Sequence, residues 1–248
     1  MSLSPPPHRV REDRLVSYFL GGDAMRSRSV GDVVLSDRVD VPAPPARLIA
    51  DWEREVSSRL ALEPGDVEPL PLARARARWP DYRRCVQAMS DWTRTIGWPE
   101  ALLASSEVAL MACRGASYHH DGAQYGGAAF CNLFLCEDKE LDVHFPSTGQ
   151  RIPLARGTVL LFDTGQPHAV IRRGSSGFDA AHFAPGEDCT QVFLSWELPI
   201  EDAHVARALR IAFDIDAPTA SQLDGEQVQV DGEPASLCPE SGRWRRAG

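Results

Sequence analysis

Tyr118-His119-His120-Asp121-Gly122, Leu141-Asp142-Val143-His144-Phe145-Pro146 and Phe162-Asp163-Thr164-Gly165-Gln166-Pro167-His168-Ala169-Val170 mark out the stretch, residues 118–173, around which the chain is organised. His119 and Asp121 are two residues apart, so on extended backbone both side chains leave from one face, where they can grip one ion. A third ligand is then needed. His168 is the best candidate, because it follows an apolar run, residues 159–162, that reads as a buried strand, and then a turn-like Thr164-Gly165-Gln166-Pro167. Two imidazoles and one carboxylate on one side of an ion form a facial triad, which leaves coordination positions open on ferrous iron. An isolated H-x-D is weak, since histidines near strand ends are commonly hydrogen-bonded or solvent-facing. A distal histidine on a second strand makes the pattern far more specific.

Outward from this stretch, the texture from Ser106 onward is short apolar runs separated by turn residues, an all-β signature. Strands are expected at residues 107–113, 128–136, 140–145, 150–153, 158–162, 169–172 and 190–198. Ser147-Thr148-Gly149 makes a tight hairpin between the third and fourth. Strands at this spacing suit a double-sheet jelly roll. Val205, Ala206, Leu209, Ala212 and Phe213 then recur at helical spacing over residues 201–213, and the polar tail beyond holds Asp231-Gly232 as a hairpin turn.

Ahead of the stretch, Leu48, Ile49, Trp52, Val56 and Leu60 predict an amphipathic helix over residues 45–60 with a proline at its start. Tyr82, Val86, Met89 and Trp92 predict a second over residues 81–95. Residues 15–20 form a short strand or helix, residues 30–41 an edge hairpin, and residues 63–71 a proline-rich connection. The alternating Arg74-Ala75-Arg76-Ala77-Arg78 is read as a solvated face rather than a polyanion site. The expected architecture is one domain over residues 1–248, mostly β with flanking helices. Residues 1–104 are a helical and irregular support, 105–200 a double-stranded β-helix (jelly-roll) core that binds metal, and 201–248 a C-terminal helix and tail.

The 248 residues carry 43% hydrophobic and 25% charged side chains, ordinary for a globular chain with a sizeable core. A net charge of -9 argues against a phosphate-neutralising surface, so no nucleic-acid partner is expected. Lys139 is the only lysine, so an anion-binding residue here is expected to be arginine. The six cysteines show no C-x-x-C pair and read as free thiols in a reducing compartment. Residues 1–7 lack the layout of a secretory signal and no run is long enough to span a membrane, so a cytoplasmic location is expected.

Residues 107–198 together resemble the iron(II)/2-oxoglutarate-dependent dioxygenases, in particular their prolyl-hydroxylase-like and phytanoyl-hydroxylase-like branches. The parts that carry the resemblance are Arg114-Gly115 ahead of His119-x-Asp121, then Leu141 to Pro146 with Gly149 behind it, Pro153, Gly157, the run to Phe162, His168, and a late strand ending in Ser195-Trp196. The resemblance implies that His119, Asp121 and His168 hold Fe(II), that 2-oxoglutarate is co-substrate, and that oxidative decarboxylation to succinate and carbon dioxide drives hydroxylation of an unactivated C–H bond. The partners implied are dioxygen and a small-molecule substrate. An aspartate rather than a glycine at position 121 disfavours the halogenating variant.

The chain departs from the family at the co-substrate anchor. The family places a base on the strand after the distal histidine, where this chain has Phe178 and Asp179, and the later strand offers Thr190-Gln191. Arg172 is the first choice of anchor, because on a regular strand it shares the inward face of His168 and a guanidinium fork suits a carboxylate. Arg114 and Lys139 are the reserves; Arg151 and Arg156 rank lower because they flank turns. His120 points away from the metal, His144 lines either the substrate side or the core, and Tyr125 and Asn132 bond the co-substrate or finish the core. His182 lies in a loop, residues 174–188, long enough to be a lid. The competing readings are a cupin-like metal-binding jelly roll, acting as a non-oxidative metalloenzyme or a non-catalytic sensor, and a structural module that kept the barrel without its chemistry.

Overall fold

The computed structural model describes residues 15–184 and 186–246; residues 1–7, read above for a leader, lie outside them. The chain is mostly β with flanking helices, as expected. It opens with a hairpin, β1 (Leu15–Gly21) and β2 (Ala24–Ser29), followed by β3 (Val34–Arg38) and α1 (Ala46–Arg54), which runs on as wider turns through Glu55–Leu60. Next come β4 (Val67–Leu70), α2 (Leu72–Arg78), α3 (Tyr82–Thr95) and α4 (Glu100–Ser105).

Eight strands follow: β5 (Glu107–Cys113), β6 (Ala116–His119), β7 (Ala128–Phe134), β8 (Leu141–Phe145), β9 (Gln150–Pro153), β10 (Thr158–Asp163), β11 (His168–Arg172) and β12 (Gln191–Pro199). The chain closes with α5 (Ala203–Leu209), α6 (Ala217–Ala220), β13 (Gln227–Val230), β14 (Glu233–Leu237) and β15 (Trp244–Arg246).

The strands form three sheets. A six-stranded sheet has the order β3-β10-β7-β12-β5-β4, a four-stranded sheet β6-β11-β8-β9, and a five-stranded sheet β15-β14-β13-β1-β2. The first two share an apolar interior. Phe134, Phe162 and Phe193 of the larger sheet meet Leu141, Val143, Phe145 and Val170 of the smaller one. Alternation along each strand explains the layering, because successive side chains point to opposite faces. In β12, Val192, Leu194, Trp196 and Leu198 face the helices, where Leu48, Trp52 and Met89 cover them, while Phe193 faces the four-stranded sheet.

Several local expectations need correction. Residues 30–41 are not a hairpin: β3 alone pairs with β10, because the apolar pairs there meet a free edge of the large sheet rather than each other. The connection over residues 63–71 contains β4, which pairs with β5; Pro69 is tolerated because β4 is an edge strand. Residues 15–20 are a strand, and β1 pairs with β13 on its other side, Leu15 opposite Val230. The polar tail therefore supplies a sheet. Its Asp231-Gly232 turn has positive φ at both residues, 53° and 85°, as a primed hairpin turn requires. The arginines of α2 face outward, with Arg78 paired to Asp51 and Arg74 to Glu55.

Candidate metal centre

β6 is the strand that local pattern does not reveal, and it carries the first histidine. It pairs with β11 so that His119 stands opposite His168, and the register shifts between His168 and Val170. The two rings lie 4.3 Å apart between centroids. Asp121 follows on the turn after β6, its amide donating to Thr164 O at 2.8 Å. His119 Nε2 is 3.8 Å from Asp121 Oδ1, and His168 Nε2 is 3.5 Å from Asp121 Oδ2. The one potential ligand atom each residue offers lies within 4.8 Å of the others.

Orientation is set from behind. His119 Nδ1 donates to Ser117 O at 2.8 Å, and His168 Nδ1 donates to Gln166 O at 3.0 Å. A carbonyl can only accept, so each Nδ1 carries a proton and each Nε2 is the ring nitrogen left turned toward Asp121. This is the tautomer and aim that metal ligation needs. Burial, with His119 next in effect, holds His168 far below the ordinary histidine range, at about 3, so its ring is neutral. Burial raises Asp121, and the neighbouring His119 and His120 partly offset this. A buried carboxylate beside the neutral His168 ring and the His119 ring fits a cation that would complete the charge balance.

The turn between β10 and β11 fixes these contacts. Thr164 Oγ1 donates to Tyr125 O and Ala128 O, at 2.8 and 2.7 Å, joining this turn to the segment after Asp121. Gln166 Nε2 donates to Asp32 O at 3.3 Å. Sequence reading saw these residues only as punctuation; the signal that each carries a hydrogen bond toward a candidate ligand lies in the fold.

Beside the triad, Phe162 and Phe145 approach His168 with centroids at 4.8 and 6.0 Å. One step deeper the strands offer smaller or polar inward groups, among them Val170, Asn132 and Ser195, with Ser195 paired opposite Asn132. Deeper still, Phe134 stacks on Phe193 at 5.0 Å. Asn132 Oδ1 is buried without a hydrogen-bond partner.

The candidate anchors each have partners of their own. Arg172 lies two residues beyond the inward-facing Val170 and reaches Glu140 Oε2 at 3.3 Å and Lys139 O at 3.4 Å. Arg114 donates to Phe183 O and Ala184 O, at 2.9 and 2.7 Å. Lys139 donates to Thr190 O and pairs with Asp188. Arg151 donates to Ser175 O, and Arg156 pairs with Glu137.

His120 faces away from the triad, as expected. Its ring lies 4.9 Å from Trp244, and it lines a cleft of about 330 Å³ with Tyr18 and Gln227. His144 is on the outer face of its sheet, bonded to the Tyr118 hydroxyl, so it lines neither the substrate side nor the interior. Residues 174–188 are not a lid over the triad. β11 runs away from His168, so the loop leaves from the opposite end, where Phe183 is fully buried and packs in the interior cluster.

No family model and no curated protein matches the chain. Among solved structures it is similar to a Pseudomonas putida prolyl-4-hydroxylase, with 16% identity, a TM-score of 0.39, and coverage of 67% of this chain and 92% of that one. EvdO2 from Micromonospora carbonacea var. aurantiaca, complexed with 2-oxoglutarate, is similar at 16% identity and a TM-score of 0.36, over 70% of this chain and 89% of that one. The alpha-ketoglutarate-dependent epimerase SnoN from nogalamycin biosynthesis is similar at 13% identity and a TM-score of 0.35, over 67% and 78%.

Proposed function

We propose that this chain is a non-haem Fe(II) oxygenase that uses 2-oxoglutarate as co-substrate and hydroxylates a small molecule or an amino-acid side chain. The observation that carries the reading is the triad itself. Two imidazoles whose Nδ1 atoms are committed to carbonyls turn both Nε2 atoms toward one carboxylate. Of the eight strands β5 to β12, β5, β7, β10 and β12 lie in one sheet and β6, β8, β9 and β11 in the facing one, an order that supports a double-stranded β-helix (jelly-roll) core.

In this reading His119, Asp121 and His168 hold the ion on one side, and 2-oxoglutarate with dioxygen supplies the oxidising chemistry when bound. The chain's own part is to hold geometry and exclude water. Phe145 and Phe162 keep the His168 side dry. Asn132 and Ser195 offer the polar surface between the sheets. Arg172, on the inward run of β11 past Val170, anchors the far carboxylate by exchanging its contact with Glu140 for the ligand. A cytoplasmic setting belongs to the same reading, alongside six free thiols. No helix among the described residues is long and apolar enough to cross a membrane.

One observation favours a second reading, a cupin-like metal protein of another class. The inward positions of β12 hold no base, and Phe193 stacks on Phe134 at the depth where a base would serve. Anaerobic titration of iron-loaded protein with 2-oxoglutarate separates the two. A weak visible charge-transfer band supports the oxygenase; its absence with the wild-type chain favours the second reading.

A further inference from the structure

Arg28 of β2 and Asp163 at the end of β10 form an ion pair with both side chains fully buried. Arg28 Nη1 donates to Asp163 Oδ1 at 2.8 Å and Oδ2 at 2.7 Å. The same carboxylate accepts the amide of Gly31 at 2.7 Å and the amide of Gly165 at 2.8 Å. Asp163 thus gathers donors from β2, from the segment after it, and from the turn that leads to His168. Two carbonyls of that turn face the triad: Thr164 O takes the Asp121 amide, and Gln166 O takes His168 Nδ1.

We propose that Arg28 is a positioning residue for the metal centre, its pair with Asp163 fixing the turn that aims Asp121 and His168 at one ion. The inference rests on the triad being a metal centre.

A role in stability alone fits the pair poorly. Arg28 leaves Nε and Nη2 without a partner although it is wholly buried. Desolvating a guanidinium with unmatched nitrogens is costly, and an apolar pair of similar volume is commonly at least as stable. What an apolar pair does not supply is direction, because three donors making four hydrogen bonds to one carboxylate fix where the next residues of the turn sit. Close packing points the same way. A Cβ at Gly165 would lie 3.1 Å from Arg28 Nη2 and 3.4 Å from Asp163 Oδ1, and one at Gly122 would lie 3.3 Å from Gly165 Cα. Arg28, Gly165 and Gly122 therefore stand in contact, one on the terminal sheet and one on each of the two segments that bear the triad.

The test is titration of the metal-free full chain with Co(II), reading the dissociation constant and the visible d–d spectrum, with circular dichroism confirming the fold. Arg28→Met and Gly165→Ala are compared with Met89→Ala, a fully buried site in α3 within the outer core. Arg28→Met is expected to bind Co(II) about 10–100-fold more weakly with an altered spectrum, the range found for partners that orient a metal ligand. Gly165→Ala shifts both in the same direction by less, and Met89→Ala leaves both unchanged although it loses stability. If Arg28→Met and Gly165→Ala match wild type in affinity and spectrum, the positioning role is overturned. Should Arg28→Met fail to fold, Gly165→Ala decides alone. Failure of the wild-type chain to bind Co(II) would instead overturn the metal reading beneath the proposal.

Discussion

His168 is the residue directly opposite His119 where β11 pairs with β6, with ring centroids 4.3 Å apart. The pairing of two strands thus sets the separation of two imidazoles, and Asp121 closes the third corner from the next turn. Replacing any one of His119, Asp121 or His168 by alanine is expected to weaken metal retention by more than the ~10–100-fold typical of an outer partner. Metal content after dialysis of the iron-loaded protein checks this; three alanine variants that each retain stoichiometric iron would contradict it.

Arg172 meets Glu140 and the Lys139 carbonyl, and its side chain is about a third exposed. Arg172→Ala should keep its metal but lose 2-oxoglutarate affinity by about 10–100-fold, the equivalent of one charge-assisted hydrogen-bonded contact. The charge-transfer titration reads this directly. An unchanged titration would transfer the anchoring role to Arg114 or Lys139.

Gly115 and Gly149 both have positive φ, 72° and 68°, but differ in surroundings. A Cβ at Gly115 would lie 2.4 Å from the buried Phe183 ring, whereas nothing stands within 4 Å at Gly149. Gly149→Ala is expected to lose ~1 kcal/mol from backbone strain alone, and Gly115→Ala clearly more. Urea unfolding of the two variants side by side measures the difference, and equal losses would mean that Phe183 moves aside freely.

Hydrogen bonding from Arg173 holds Asp138 below the ordinary carboxylate range. A lowered folded-state pKa contributes stability that is complete above the unfolded value, ~3.9, and is lost as pH falls through the folded value. Arg173→Met should therefore melt below wild type at neutral pH, with the gap closing as the pH drops below 4. A gap of constant size from pH 7 to pH 2 would show that the contact works by packing.

Burial pushes the Cys85 and Cys113 thiols up to about 12. At pH 8 only roughly 1 in 10⁴ of such groups is thiolate, the reactive form. Both should resist alkylation in the native protein and react readily once it is unfolded in urea. Peptide mapping of the labelled sites gives the answer, and prompt native labelling of Cys113 would mean that the two sheets open at the end away from His168.

Much of this architecture is legible in local pattern. β5 and β9 begin and end where alternation and turn residues place them, and α3 follows its apolar stripe. β6 is not legible, because Ala116-Ser117-Tyr118-His119 alternates over only four residues, too short a run to mark a strand apart from its pairing with β11. The triad residues could be picked out because ligand chemistry is written in residue type and spacing. Arg28 could not: nothing in Met25-Arg26-Ser27-Arg28-Ser29 separates one arginine from the other, and only the fold buries Arg28 while Arg26 meets Asp214 at the surface. The terminal sheet was hidden for the same reason, since β1 carries no local sign that its second neighbour is β13.

That distant partnership bears on synthesis. A ribosome releases β1 and β2 long before β13, so the nascent chain can complete the histidine-bearing turn while β1 still lacks the neighbour on its other edge. Contacts of such long sequence separation form late and slowly. A ribosome stalled before Gln227 would therefore display the two facing sheets with the outer edge of β1 still unpaired.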